Sequence, residues 1–253
     1  MTDSLLNICD LRKVFGGVVA VNDLNFTVAQ GSVTSVIGPN GAGKTTVFNL
    51  ITGFLAPTSG HIRFSGHEIA GKKPHLVAGL GIARTFQHIQ IFPKMTALEN
   101  VMVGRHLRSR TGLFSSFILP PFLRKEEKEV RDAAHKWLEL IRMDDQAQKP
   151  AGSLPLGNQR KLEIARALAS EPKLLLLDEP ASGLNSREKM SMGDLIAKIR
   201  DTGITIMLVE HDMELVMDIS DKVVVVSFGS RIAEGSPADI QANPDVIAAY
   251  LGE

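Results

Sequence analysis

A single cysteine, Cys9, stands among 253 residues. No internal disulfide can form, and such sparing use of cysteine suits a reducing compartment. Charge of one sign is missing as well. Lys+Arg and Asp+Glu each total 28, so the net charge is zero. That removes the electrostatic case for a nucleic-acid partner, although a basic face can hide beneath a neutral sum. Long hydrophobic runs are also absent. The most membrane-like stretch, "LFSSFILPPFL" at 113–123, is broken by Pro120 and Pro121 and falls short of the ~20 residues a spanning helix needs. The chain is therefore expected not to cross a membrane by itself, while remaining free to lie against one. No secretory leader is expected either, because "MTDSLLNICDLRK" carries Asp3 and Asp10 and has no apolar core. His61, His67, His75, His88, His106 and His135 lack the spacing of a metal site. Internal repeats and low-complexity tracts are not found.

What is present is a balanced composition, 44% hydrophobic and 22% charged, at a length that allows one α/β domain with an attached subdomain. The first thirty residues alternate apolar and polar; "VNDLNFTV" puts Val21, Leu24, Phe26 and Val28 forward at strand spacing. A short apolar strand, "SVTSVIG", leads into a Gly-rich turn and then "KTTVFNLITGF" at helical spacing. "HIRFSG" reads as another strand. Helices are predicted from Thr96 to about Leu107 and from about Lys125 to Met143, with a Gly/Ser/Pro-interrupted segment over 109–124. "SLPLGNQRKLEIARAL" reads as a loop opening a third helix, with Leu162, Ala165, Leu168 and Ala169 on one side, and a further helix starts near Ser186. Trp137 with Leu138, Leu140 and Ile141 reads as the packing face of the second helix. The runs "LLLLD", "TIMLV" and "VVVVS" are continuously apolar, as strands buried on both faces are. The prediction is an α/β chain: a mainly parallel core with flanking helices, an N-terminal antiparallel β subdomain, and an α-helical subdomain inserted at about 96–171 between core segments 1–95 and 172–253.

"IGPNGAGKTT" meets the pattern G-x-x-x-x-G-K-[ST] at Gly38, Gly43, Lys44 and Thr45, between a strand and a helix. Gly38, Gly41 and Gly43 let the backbone bend so that successive N–H groups form an anion nest. With Pro39, Asn40, Ala42 and Thr46 they make up the candidate phosphate site. Lys44 brings a point charge to β- and γ-phosphates, and the Thr45 hydroxyl is a candidate Mg²⁺ ligand. "KLLLLDEP" supplies the complement. Its strand ends in Asp178, a candidate Mg²⁺ ligand, and Glu179, placed to orient and deprotonate an attacking water. The segment Leu154, Pro155, Leu156, Gly157, Asn158 and Gln159 offers free N–H groups at a helix start, hence a second anion site.

In order, "GPNGAGKTT", "TFQ", "LPLGNQRKLEIARAL", "LLLLDEP", "SGLN" and "VEHD" resemble the nucleotide-binding subunit of an ATP-binding cassette (ABC) transporter over essentially the whole chain. The resemblance implies two cassettes stacked head to tail, each ATP held between one subunit's Gly-rich loop and the other's Leu154–Asn158 segment. It implies that Gln87 reaches Mg²⁺ and the attacking water, that His211 donates to the γ-phosphate, and that Phe15 stacks on adenine. The family's common signature is Leu-Ser-Gly-Gly-Gln. Here Pro155 removes both the serine hydroxyl and that position's N–H. In "SGLN", Ser182 to Asn185, Asn185 stands where an aspartate is usual.

Within the family, "FGGVVAVNDLNF", "ARTFQHIQIFPKMTALENV" and the ending "YLGE" resemble the ATPase subunits of branched-chain amino acid importers. The implied partners are a second ATPase, identical or different, two transmembrane permease subunits, and indirectly an external solute-binding protein; the implied place is the cytoplasmic face of the inner membrane, as a peripheral subunit. ATPases of urea or amide importers and of lipopolysaccharide export share parts of this pattern. A soluble ATPase in repair or translation is a further alternative; such proteins usually carry two cassettes or a long coiled-coil insertion. A scaffold that holds nucleotide without hydrolysing it is disfavoured by Glu179 and His211.

Overall fold

The computed structural model describes residues 4–105 and 121–251. The chain opens with an antiparallel sheet. β1 (Ser4–Phe15) and β2 (Val18–Ala29) form a hairpin, and β4 (Ser59–Phe64) and β5 (His67–Glu68) extend it in the order β2-β1-β4-β5. The alternation seen in the sequence becomes a one-sided face: Leu6, Ile8, Leu11, Val21, Leu24, Phe26 and Val28 are all buried.

The second sheet has the order β10-β9-β3-β8-β7-β6. Its strands are β3 (Val33–Ile37), β6 (Ile82–Arg84), β7 (Leu174–Asp178), β8 (Thr205–Val209), β9 (Lys222–Ser227) and β10 (Ser230–Gly235). Pairing is parallel from β9 through β6, and β10 closes one edge antiparallel. Every residue of β3, β7 and β8 is buried, because both faces are covered. Leu174 and Leu176 pack with Phe48 of α1 (Lys44–Ile51) and with the antiparallel sheet. Leu175 and Leu177 pack on the other side with α3 (Ala97–Gly104), α4 (Pro121–Leu140), α5 (Leu156–Leu168) and α6 (Ser186–Asp201). A period of two thus lies hidden inside an unbroken apolar run, and each such buried leucine contributes ~2 kcal/mol of transfer free energy. Trp137, Leu138, Ile141, Leu162, Ala165, Leu168 and Ala169 are buried in the same cluster as Leu175 and Leu177, so the helical segment and the sheet share one core. The remaining helices are α2 (Pro74–Gly79), α7 (Met213–Ile219), α8 (Pro237–Gln241) and α9 (Pro244–Leu251).

Among the described residues, boundaries differ from expectation at the end of α1 and at both ends of α4, which stops at Leu140 rather than Met143. The helix predicted over 44–54 stops at Ile51, because Gly53 at φ 76 turns the chain out in the left-handed region. α4 begins at Pro121, four residues before its predicted start, since proline is well suited to a first helical position. The first predicted helix ends at Gly104 within the described residues; its expected end near Leu107, with His106, and the interrupted segment up to 120 lie outside them. The short strand β6 was not anticipated at all.

One consequence governs function. The carboxyl ends of β3, β6, β7 and β8 lie along one edge of the sheet, where ligands of such folds gather. They deliver the Gly-rich loop, Gln87, the Asp178–Glu179 pair and His211 to that edge.

Candidate functional site

The loop between β3 and α1 is built on glycines that nothing else can replace. At Gly38 (φ 151) an added Cβ would lie 1.9 Å from the Val226 carbonyl oxygen, and at Gly43 (φ 101) 2.4 Å from that of Ala20. Gly43 caps α1 without any side-chain hydrogen bond, and a helix start of this kind suits an anion. Lys44 Nζ donates to the carbonyls of Gly38 (2.5 Å) and Pro39 (2.9 Å). Asn40, Gly41 and Thr45 are exposed, Pro39, Gly43 and Thr46 half-buried, and Ala42 buried with its carbonyl accepting from Gly229 N. Phe15, at the end of β1, is 44% exposed with Lys13 Nζ 4.9 Å from its ring centre. It is not a core aromatic.

Glu179 follows β7 in the left-handed region at φ 48, held by its own N–H donating to Val209 O at 2.9 Å. Gln87 Nε2 donates to Glu179 Oε2 at 2.9 Å, and His211 Nδ1 lies 3.7 Å from the same oxygen. The residues expected to be catalytic, delivered by three separate loops, thus converge on one carboxylate atom. Asp178 is buried, and its Oδ2 accepts from Arg84 at 2.7 Å. Arg84 also donates to Asn49 Oδ1 and Thr52 Oγ1 of the α1 end and lies between the rings of Phe48 and Phe86. Breaking such a buried pair costs ~3–5 kcal/mol, because one charge is left uncompensated. Asp178 is therefore a fixed carboxylate with one oxygen already engaged.

The donor set suits Mg²⁺. Thr45 hydroxyl, the Gln87 amide oxygen and an Asp178 oxygen are all hard oxygen ligands, and Mg²⁺ is typically held by few protein ligands together with water and substrate phosphates. Among the described residues no group of three His, Cys, Asp or Glu could hold a metal alone.

The 154–158 segment opens α5. Pro155 is its N-cap, without a side-chain cap bond. Leu154 is buried and Leu156 is 45% exposed. Asn158 Nδ2 donates to Gln146 Oε1 at 3.3 Å and Gln159 Nε2 to Leu154 O at 2.8 Å; an added Cβ on Gly157 would lie 2.9 Å from Glu188 Oε1. These contacts run to the segment's own surroundings. Asn185 caps α6, accepting from Glu188 N while Glu188 returns a bond to Asn185 N, so its amide does helix-capping service in place of a charge.

Arg84, Arg160, Glu163, Arg166 and Glu210 escaped the sequence reading. Along one side of α5, Arg160 donates to Gln87 O (2.7 Å), Phe86 O and Ser182 O (both 3.4 Å), Glu163 accepts from Gln90 N, and Arg166 bonds Gln90 O. Burial pushes the Glu163 carboxyl above its ordinary range, opposed by the Gln90 N–H and by Arg166. The i, i+3, i+6 spacing was the available signal. α5 thereby holds the Gln87 segment by its main chain. Beside that segment lies a groove of about 940 Å³, lined in part by Gln90, Phe92, Met95, Met102, Val103 and Arg166.

The family model described as ABC transporter matches residues 21–182, and one described as branched-chain amino acid ATP-binding cassette transporter matches residues 230–253. The chain is 47% identical over 254 residues to the high-affinity branched-chain amino acid transport ATP-binding protein BraF of Pseudomonas aeruginosa, covering 100% of both. It is 46% identical, with the same coverage, to LivG of Escherichia coli K12, which carries the same description. Among solved structures, the ADP conformation of MJ1267, an ATP-binding cassette of an ABC transporter, matches with a TM-score of 0.87 at 33% identity, covering 100% of both chains. A nucleotide-free ATP-binding cassette from an ABC transporter matches at 0.86 and 32%, covering 99% of this chain and 100% of that one.

Proposed function

Because this chain belongs to the ABC transporter family of ATP-binding subunits, we propose that it binds and hydrolyses ATP with Mg²⁺ to power import of branched-chain amino acids through a membrane permease. The observation that carries the hydrolytic part is the meeting of Gln87 and His211 on Glu179 Oε2, on the sheet edge that also bears the Gly-rich loop. Glu179 is the base for the attacking water, His211 and Gln87 flank it, Lys44 and the loop amides hold the phosphates, Phe15 takes the adenine, and Thr45, Asp178 and Gln87 are the residues that would hold Mg²⁺. Bound Mg²⁺ supplies charge neutralisation on the phosphates. The transported solute touches nothing here; its assignment rests on the relatives.

The 154–158 segment opens α5 without a side-chain cap bond, with Asn158 tied to Gln146, which supports a sandwich of two cassettes, each completing the other's site. Specific ATPase activity is then expected to rise with protein concentration before levelling off. A serine at Pro155 would cap α5 and offer its hydroxyl proton to a partner's γ-phosphate. A hydrogen bond to a charged group contributes ~1.5–3 kcal/mol. Pro155→Ser is accordingly expected to shift the concentration midpoint down by ~10-fold or more. Activity strictly proportional to concentration would sink the sandwich; an unmoved or higher midpoint in the variant would sink the role of the missing hydroxyl.

The family's permease partners need a docking place, and the groove beside Gln87 fits one short helix of a membrane subunit. Phe92, Met95 and Val103 leave apolar surface exposed along it. The described helices α3, α4 and α5 then move together on closure and pull that helix inward, with the chain peripheral at the cytoplasmic face of the membrane. Among the described residues no helix is long and apolar enough to cross it. Val103→Glu is expected to weaken co-purification with permease-containing membranes at least ~10-fold, since an unpaired buried charge costs several kcal/mol, and to leave intrinsic ATPase activity within ~2-fold. Undiminished membrane association would place the dock elsewhere.

A further inference from the structure

His211 and Glu179 stand on different loops, and one buried carboxylate joins those loops. Glu210 ends the β8 run with its side chain fully enclosed. Its Oε1 accepts from Ala181 N at 2.7 Å, in the loop that Glu179 opens. Its Oε2 accepts from His211 N at 3.1 Å and, more weakly, from Asp212 N at 3.5 Å, and lies 3.9 Å from His211 Nδ1. Burial pushes the Glu210 carboxyl above its ordinary range, opposed first by these backbone N–H groups.

Both loops need such a tie. Glu179 holds a left-handed φ without being glycine and is followed by Pro180, a conformation that costs ~1–2 kcal/mol and persists only where neighbours enforce it. The His211 side chain is 64% exposed and has little packing of its own. On its far side, Asp212 caps α7 and pairs with Lys189 of α6 at 2.5 Å. His211 therefore hangs between two anchored carboxylates, one of which also grips the Glu179 loop.

We propose that Glu210 is a positioning residue whose carboxylate fastens the Glu179 loop to the His211 loop, so that both groups keep register on the water and γ-phosphate. The proposal rests on the assignment of Glu179 and His211 to hydrolysis. Glutamine at 210 preserves shape but turns an NH₂ group toward one of the backbone donors. Aspartate preserves charge but cannot span both loops.

The test uses the full chain, above the concentration at which its activity levels off. ATP binding by equilibrium dialysis, kcat and KM, and thermal melting would be measured for Glu210→Gln, Glu210→Asp, His211→Ala, Glu179→Gln and the Glu210→Gln/His211→Ala double variant. Glu210→Gln and Glu210→Asp are expected to lose ~10–100-fold in kcat, the size of a modest misplacement of reacting groups, with ATP affinity and KM within ~2-fold. In the His211→Ala background, adding Glu210→Gln is expected to cost several-fold less than it does in the unaltered chain, because one of the two groups it positions is already gone. Wild-type kcat in both single variants, or full multiplication of effects in the double, overturns the positioning role while His211→Ala and Glu179→Gln keep a reduced but measurable turnover. Should one variant at 210 fail to fold, the other carries the comparison. Wild-type turnover in His211→Ala or Glu179→Gln overturns the underlying assignment instead.

Discussion

Glu179→Gln is expected to bind ATP as tightly as the unaltered chain, to lose ~10²–10⁴-fold in turnover, the usual contribution of a general base, and to accumulate as a closed pair in the presence of Mg²⁺ and ATP. The substitution is nearly isosteric. Glutamine's carbonyl oxygen can still accept from Gln87 Nε2, which now donates to Glu179 Oε2 at 2.9 Å, and the backbone bond from residue 179 to Val209 O is untouched. What disappears is an oxygen basic enough to take a proton from water. The phosphate loop and Asp178, held by Arg84, are left as they were, so binding and closure persist while the step that opens the pair does not. Size-exclusion chromatography with and without ATP, beside phosphate release, separates the two effects. Near-normal hydrolysis would take the base role away from Glu179. Normal loss of hydrolysis without an ATP-dependent pair would leave the base and remove the sandwich.

How much of this site the sequence disclosed depends on whether a residue works through its neighbours in the chain or through neighbours in space. The Gly-rich loop works locally. Gly38, Gly43 and Lys44 are constrained by one turn between a strand and a helix, and their spacing alone announces it. The buried strands were legible for a similar reason, since an apolar run bounded by turns needs no partner to be recognised. β6 was not, because its three residues include Arg84, and a charge inside a strand looks like surface until Asp178, ninety-four positions away, is seen to neutralise it. Arg160 reads as an ordinary solvated helix residue until the carbonyls of Gln87 and Ser182 are found at the end of its side chain. Glu210 stands beside His211 in plain view, yet its carboxylate serves Ala181, a contact only folding creates. The start of α4 at Pro121 is hidden for a different reason: proline interrupts most helices, and at a first helical turn it does the reverse.

Lys44→Ala is expected to act at the opposite side of the same cycle. In the structure the ammonium group bonds the carbonyls of Gly38 and Pro39, and on the proposed function it would exchange part of that company for phosphate oxygens when nucleotide enters. Each hydrogen bond to a charged group contributes ~1.5–3 kcal/mol, and Lys44 serves two phosphates at once, so ATP affinity should fall ~10²-fold or more. Folding should not suffer. Lys44 is the first residue of α1, where alanine is a good helix former, and Gly38 and Gly43 keep the loop's shape without it. The melting temperature without nucleotide is therefore expected to fall by no more than the loss of the two carbonyl contacts entails, while the ATP-induced rise in melting temperature is lost. Wild-type ATP affinity in Lys44→Ala would show that the loop amides alone carry the phosphates. The comparison with Glu179→Gln is sharp because one variant never closes and the other never opens. A mixed pair of Lys44→Ala with Glu179→Gln subunits should close around a single ATP, at the site whose phosphate loop belongs to the Glu179→Gln chain and whose Leu154–Asn158 segment belongs to its partner. If ATP instead fails to bring the mixed pair together, closure needs both sites filled, and the force drawing two cassettes together is the sum of two nucleotide contacts rather than either alone.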